Sequence, residues 1–345
     1  MQFTSDNTGP VHPAVMAALA DANEGYAPSY GADDLTARVT AQIRDVFEAP
    51  EAAVYLVATG TAANALSLAC LAQPWQTVFC ARHAHIQEDE CGAPEFYTHG
   101  AKLTLLDETD GRMDADALAR AIAAEESRGV HGVQRGPVSI TQATELGTVH
   151  DLPTLRALTD VARGHGLPVH MDGARFANAL VRLGCTPAEM TWKAGVDVLS
   201  FGGTKNGLMA VEAVVMFDPA RAWEFELRRK RAAQLFSKHR YLAAQMAAYL
   251  DGALWLDLAA RANAQADRLA AGLTARGIAL AAPPEANMVF AKLPRDTDTR
   301  LRAAGATYIE WDSPADVAAP VTARLVCDWS TPDSAIDAFL GTLDA

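Results

Sequence analysis

The sequence predicts an α/β protein, with a large domain on a mainly parallel seven-stranded sheet and a small α+β domain at the C-terminal end. Three observations carry this expectation. Between about residues 53 and 217, short β-rich runs alternate with helical stretches, which is the pattern of strands joined by crossover helices. Several of those runs end in small-residue turns that hold a polar or charged side chain. Beyond Asp218 the alternation stops, and long alanine-rich sequence without strands takes its place.

In chain order, an N-terminal segment (1–20) precedes a large domain expected over 21–245. Its strand candidates are Val54–Val57, Thr77–Cys80, Lys102–Leu105, Val138–Thr141, Val169–Met171, Val196–Ser200 and Ala213–Phe217. Helices are expected between them, including Ala115–Ala124 and Leu152–His165. The longest apolar stretch, 52–72, is interrupted by Thr59, Gly60, Thr61 and Asn64, so it reads as a buried strand and helix, with no membrane span. Residues 219–275 are helical. The small domain (246–345) then draws on strands at Asn287–Leu293, Thr307–Ile309 and Arg324–Cys327 and a closing helix at Ala335–Leu343.

The 345 residues, half of them hydrophobic and 21% charged, suffice for a sizeable core. A net charge of −13 argues against a nucleic-acid partner, because neutralising phosphates needs a basic footprint. The one basic run, Arg228-Arg229-Lys230-Arg231 with Lys238-His239-Arg240, reads first as a solvated helix face and second as a local anion holder. The 5 cysteines are odd in number and scattered, which fits a reducing cytoplasm, and no basic-then-apolar leader opens the chain.

Chemistry is concentrated at three strand ends. After Val54–Val57 comes Ala58-Thr59-Gly60-Thr61-Ala62-Ala63-Asn64, a turn into a helix whose first N–H groups are free to hold a phosphate. After Val169–Met171 come Asp172-Gly173-Ala174-Arg175, and after Val196–Ser200 come Phe201-Gly202-Gly203-Thr204-Lys205-Asn206-Gly207. Singly, a lysine in a glycine turn is usually a solvated loop residue and an Asp-Gly pair is usually a turn. Together, at one edge of one sheet, they supply what pyridoxal phosphate needs: an amine for the Schiff base and an acid to keep the pyridine nitrogen protonated. A rival reading is a metal site at His83-Ala84-His85 through Glu88-Asp89-Glu90-Cys91. Histidines two apart on a strand face opposite ways, and no His-Glu-x-x-His helix is present, so no metal ligands are assigned.

With these parts in place, the chain resembles the L-threonine aldolases, pyridoxal phosphate enzymes of fold type I in the aspartate aminotransferase superfamily. The resemblance runs through Ser5-Asp6-Asn7, Tyr30-Gly31 with Asp33, Gly60 to Asn64, Ala84-His85, His170 to Arg175, Gly203 to Gly207 and Arg324-Leu325-Val326. It implies that Lys205 forms the Schiff base, Asp172 pairs with the pyridine nitrogen, and Arg175 holds the phenolic oxygen. Gly60, Thr61 and Thr204 would cradle the phosphate. His85 would stack on the ring near the substrate hydroxyl and place the base. Ser5 and Arg324 would bind the substrate carboxylate, with His131 a second histidine near the hydroxyl. Tyr30 would be lent by a neighbouring subunit of a homotetramer. The chain departs from the family where Ser-Asp-Asn replaces Ser-Asp-Thr, and in Arg231 to Lys238, where Lys230 or Lys238 takes the place of a phosphate-contacting arginine. The expected reaction is cleavage of an L-β-hydroxy-α-amino acid to glycine and an aldehyde. Two alternatives stand beside it: a β-eliminating lyase acting on aromatic amino acids on the same scaffold, and a non-catalytic protein that kept the fold.

Overall fold

A computed structural model of the chain describes residues 1–125, 128–312, 314–316 and 318–344. The large sheet has seven strands: β1 (Ala53–Val57), β2 (Gln76–Ala81), β3 (Lys102–Leu106), β4 (Gln134–Thr141), β5 (Val169–Gly173), β6 (Val198–Phe201) and β7 (Glu212–Met216). Their spatial order is β1-β7-β6-β5-β4-β2-β3. All neighbours run parallel except β7, which is antiparallel to both β1 and β6. Every strand run read for the large domain is therefore present, as is the helix Leu152–Gly164, which buries Leu155, Leu158, Thr159 and Ala162 along one face and is capped by Asp151.

The helix Gly60–Leu71 explains why its sequence is so rich in alanine: from Ala63 to Leu71 every residue is buried, and it lies against β6 and β7, where small side chains permit close approach. Parallel pairing puts the carboxyl ends of β1, β4, β5 and β6 at one edge. Because β7 runs the other way, its first residue joins them: Glu212 is paired with Val57 at the end of β1.

The small domain is a three-stranded antiparallel sheet, β8 (Met288–Leu293), β9 (Ile309–Asp312) and β10 (Val321–Val326), with β10 in the middle. Of these, β9 falls later than the expected Thr307–Ile309, because Thr307 pairs instead with the chain's own start: the Phe3 N–H donates to Thr307 O (2.8 Å) and the Thr307 N–H donates to Met1 O (2.9 Å). The long helix Leu254–Ala275 serves two cores. Trp255 and Ala259 pack with the large sheet, while Ala266, Leu269, Ala270 and Leu273 pack with β8, β10 and Phe339. From Phe3 the N-terminal segment crosses to the large sheet, where His12 N donates to Gly207 O (2.9 Å), so it laces the small domain to the turn that carries Lys205.

Candidate active site

Lys205 sits in a short 3-10 turn, Thr204–Asn206, directly after β6. Among the described residues its amine makes no hydrogen bond or ion pair, although it is half-buried. The turn itself is rigid. A Cβ at Gly202 would lie 2.4 Å from Ala174 O, and one at Gly203 2.4 Å from Leu208 Cδ1 and 2.8 Å from Val211 O. Asn206 Nδ2 donates to Tyr249 Oη and Trp255 O, both at 2.8 Å, which fixes the far side of the lysine.

Asp172 ends β5 as a buried carboxylate. Its Oδ1 accepts the Ala174 N–H (3.0 Å) and its Oδ2 accepts from Asn64 Nδ2 (2.8 Å). Asn64 uses its other hydrogen on Glu90 Oε1 (2.9 Å), and the same oxygen takes the Nδ1–H of His85 (2.8 Å). A single buried chain thus runs Asp172, Asn64, Glu90, His85. The carboxylate on Nδ1 fixes the tautomer and leaves Nε2 with the lone pair. The Glu90 hydrogen bond raises the His85 pKa against the opposing effect of burial, and the charge of Asp172 adds to it.

Arg175 is buried and grips Asp6 with both arms: Nε donates to Oδ2 (2.7 Å) and Nη2 to Oδ1 (3.0 Å). Asn287 Nδ2 adds a third bond to Asp6 Oδ2 (3.0 Å). Burial alone would raise the Asp6 pKa, but the charges of Arg175 and Lys205 and these bonds hold it at about 2. Ser5 caps the one-turn helix Asp6–Thr8, which packs on the Lys205 turn; its Oγ accepts the Asn7 N–H (3.2 Å) and keeps its own proton to donate. Arg324, in the middle strand of the small sheet, has no acidic partner among the described residues. Burial and the nearby Arg175 lower its pKa, so a bound carboxylate would meet an unpaired, partly desolvated cation there.

At the end of β1, Gly60 and Thr61 open the helix Gly60–Leu71, with Thr59 as its cap on the Ala62 N–H (3.1 Å). A Cβ on Gly60 would meet nothing within 4 Å, so the space beside this turn is open, and the first-turn N–H groups have no partner inside their own helix. Gln234 Oε1 accepts the Ala58 N–H (3.0 Å), which sets the 231–238 loop beside this turn. These residues fit pyridoxal phosphate: an unengaged amine at Lys205, a buried acid at Asp172 and an open helix N-terminus.

The family model for beta-eliminating lyases matches residues 2–295. Over 332 residues the chain is 43% identical to a low specificity L-threonine aldolase of Pseudomonas aeruginosa, covering 96% of this chain and 93% of that protein. The corresponding protein of a Pseudomonas species is 40% identical, with 97% and 94% covered. The chain belongs to the low-specificity L-threonine aldolase family. A threonine aldolase structure from Leishmania major superposes with a TM-score of 0.93 at 27% identity, over 99% of this chain and 98% of that one. At 14% identity, serine palmitoyltransferase of Sphingomonas wittichii (TM-score 0.70, 100% and 86% covered) shares the fold type I architecture.

Of the residues to which the threonine aldolase family implies roles, Lys205, Asp172, Arg175, Gly60 and Thr61 lie at the strand-end edge of the large sheet, His85 is joined to it through Glu90 and Asn64, Ser5 packs beside the Lys205 turn, and Arg324 stands on the small sheet within the field of Arg175 and Asp6; two residues call for correction. His131 is exposed in the 3-10 turn Gly129–His131, ahead of the amino end of β4, whereas the site lies at the carboxyl ends. The loop at the right end of β4 brings in Glu145, whose charge acts on His85, Arg175 and Arg324. The Thr204 hydroxyl is engaged inside its own turn, accepting the Val211 N–H (3.3 Å) and bonding with Glu212, so it is not free for a phosphate. Tyr30 is half-exposed with Lys230 Nζ over its ring at 4.4 Å, and Lys238 is exposed; neither lysine is paired with an acid among the described residues. His83 and His85 are not on a strand: His85 begins a short helix, while His83 Nδ1 bonds to Glu108 (2.7 Å). Sequence reasoning missed Asp6, Asn64, Glu90, Glu145 and Glu212. Asp6 and Asn64 stood inside recognised motifs, and Glu90 lies five residues after His85; their partners were the hidden part.

Proposed function

We propose that this protein cleaves L-β-hydroxy-α-amino acids, L-threonine, L-allo-threonine and L-phenylserine among them, to glycine and an aldehyde, and runs the reverse addition, with pyridoxal phosphate as cofactor. The observation that carries the reading is the buried chain from Asp172 through Asn64 and Glu90 to His85, which joins the acid for the cofactor ring to a histidine held in one tautomer within the field of Lys205. When bound, pyridoxal phosphate supplies an electron sink for the pair released at the substrate's Cα. Lys205 is the amine that would hold it covalently, Asp172 would face its ring nitrogen, Arg175 its phenolic oxygen, and the N–H groups of Gly60 and Thr61 its phosphate.

Arg324 and Ser5 bind the substrate carboxylate and so set the rotation about Cα. Fixing that rotation is what would present Cα–Cβ, and no other bond to Cα, for cleavage. His85 Nε2 takes the proton of the β-hydroxyl, and the Glu90 carboxylate on Nδ1 stabilises the imidazolium that forms. The Cα–Cβ bond breaks, the hydroxyl oxygen becomes the aldehyde carbonyl and the aldehyde departs; Cα takes up one proton in place of the lost carbon, the equivalent of the one His85 removed, which completes glycine and returns His85 to its neutral form. The half-exposed Tyr30, with Lys230 over its ring, and the exposed Lys238 would face a neighbouring subunit of a homotetramer that completes each site. The chain acts in the cytoplasm, with its N-terminal segment (1–20), a large domain (21–245) and a small domain (246–345).

Replacing Lys205 by alanine tests the reading: the visible absorbance of the bound cofactor and glycine formation are both lost, and full turnover in this variant would refute it. The family description favours one second reading, β-elimination, which product analysis separates because it yields a keto acid and ammonia in place of glycine and an aldehyde.

A further inference from the structure

We propose that Glu212 is a positioning residue of the active site: its buried carboxylate holds the Gly203–Thr204 turn in the shape that presents Lys205 to the cofactor. The inference rests on the reading of Lys205 as the cofactor-binding amine.

The fold puts Glu212 there through the reversed direction of β7. Val57 and Glu212 are register partners, as are Phe201 and Ala213, so the first residue of β7 lies beside the turn that leaves β6. Glu212 is 7% exposed. Its Oε2 accepts the Gly203 N–H at 2.6 Å, and the carboxyl also bonds with the N–H and hydroxyl of Thr204. Thr204 Oγ1 is closed from the other side by the Val211 N–H. Gly203 and Thr204 are thereby fixed by one carboxylate, Asn206 is fixed by Tyr249 and Trp255, and only the lysine between them keeps an unengaged side chain.

A buried acid that merely caps a turn is the simpler account. Against it stands the cost of the charge. Burial pushes the Glu212 carboxyl up to about 7, and the bonds from Gly203 and Thr204 and the charge of Lys205 all work against that rise. A neutral acceptor would cap the same N–H groups with less desolvation. What favours a role beyond capping is placement: one carboxyl bonds both Gly203 and Thr204, the two residues immediately before Lys205, and lies within the field of the lysine's charge.

The test uses the full-length protein with Glu212→Gln and Glu212→Ala beside Lys205→Ala. Affinity for added pyridoxal phosphate, the visible band of the bound cofactor, kcat and KM for threonine, and the melting temperature without cofactor are measured. Losing a charged hydrogen-bond acceptor is expected to weaken cofactor binding about tenfold in Glu212→Gln, and more in Glu212→Ala, to shift the visible band, and to lower kcat while KM stays within about twofold. If both variants bind the cofactor as tightly as the parent with an unchanged band, Glu212 only stabilises the fold and the inference is wrong, whatever the melting temperature does. Should Glu212→Ala fail to fold, Glu212→Gln decides. A Lys205→Ala protein that keeps the visible band would sink the reading of Lys205 itself, whereas its loss together with parent-like Glu212 variants would sink this inference alone.

Discussion

The pairing of Arg175 with Asp6 shows what one buried residue can decide. Since the Asp6 pKa is about 2 in the fold against an ordinary 3.8, its folded value is the depressed one. Its contribution, roughly 2 kcal/mol, is complete above about pH 4 and is lost as pH falls through 2. Asp6→Asn leaves Arg175 buried without its counter-charge, and a urea titration at pH 7 should show a loss of roughly 3–5 kcal/mol. His85 titrates in the opposite sense: the Glu90 bond raises its pKa, so the base form appears only above the ordinary 6.5. In Glu90→Gln the acid limb of the kcat/KM profile should move to lower pH, and in His85→Asn kcat for threonine should fall by about 10²–10⁴. An unmoved limb would exclude the orienting role of Glu90. Lys205, Asp172 and Gly60 were legible because each ends a strand run, and strand ends of one sheet meet. Asp6 was not, because its partner lies 169 residues away and nothing local in either segment announces the pair. His131 was misplaced for a related reason: position along the chain does not say at which end of β4 a residue falls.

At the level of elements, each strand run of the large domain was readable from β-rich sequence bounded by turn residues, with boundaries shifted by a residue or a few. The reversed direction of β7 was not recognised. Its signal was available: the connection from β6, residues 202–211, holds no crossover helix, and a parallel neighbour would require one. That reversal is what carries Glu212 to the site. The same connection leaves no room for an added side chain at either Gly202 or Gly203. Gly203→Ala drives a methyl against Leu208 and the Val211 carbonyl and should cost about 1–3 kcal/mol in thermal or urea unfolding, with a larger loss of cofactor affinity than of stability. A variant that binds the cofactor normally would show that the turn has slack the packing does not reveal.

At the scale of the whole molecule, one long helix packs on both the main core of the large sheet and the core of the small one, and the two are tied by a first segment that pairs with Thr307, hands Asp6 to Arg175 and then reaches Gly207. Glu285 adds a second tie, accepting from Arg112 and from the Val149 N–H (2.8 Å), while Arg182 holds its carbonyl (2.8 Å). Arg324 is thereby delivered from the small domain to a site built on the large one. None of these long-range ties could be read from periodicity, which reports faces and ends but not which ends meet. Light scattering on the purified protein should give a tetramer; a monomer with full activity would remove the neighbouring-subunit role of Tyr30. The central claim is that this site breaks Cα–Cβ. The most direct measurement supplies L-threonine and L-phenylserine to the pyridoxal phosphate-loaded protein and quantifies all products, with Lys205→Ala as the blank. Equal amounts of glycine and aldehyde, absent from the blank, are predicted; ammonia and a keto acid in their place would contradict the account.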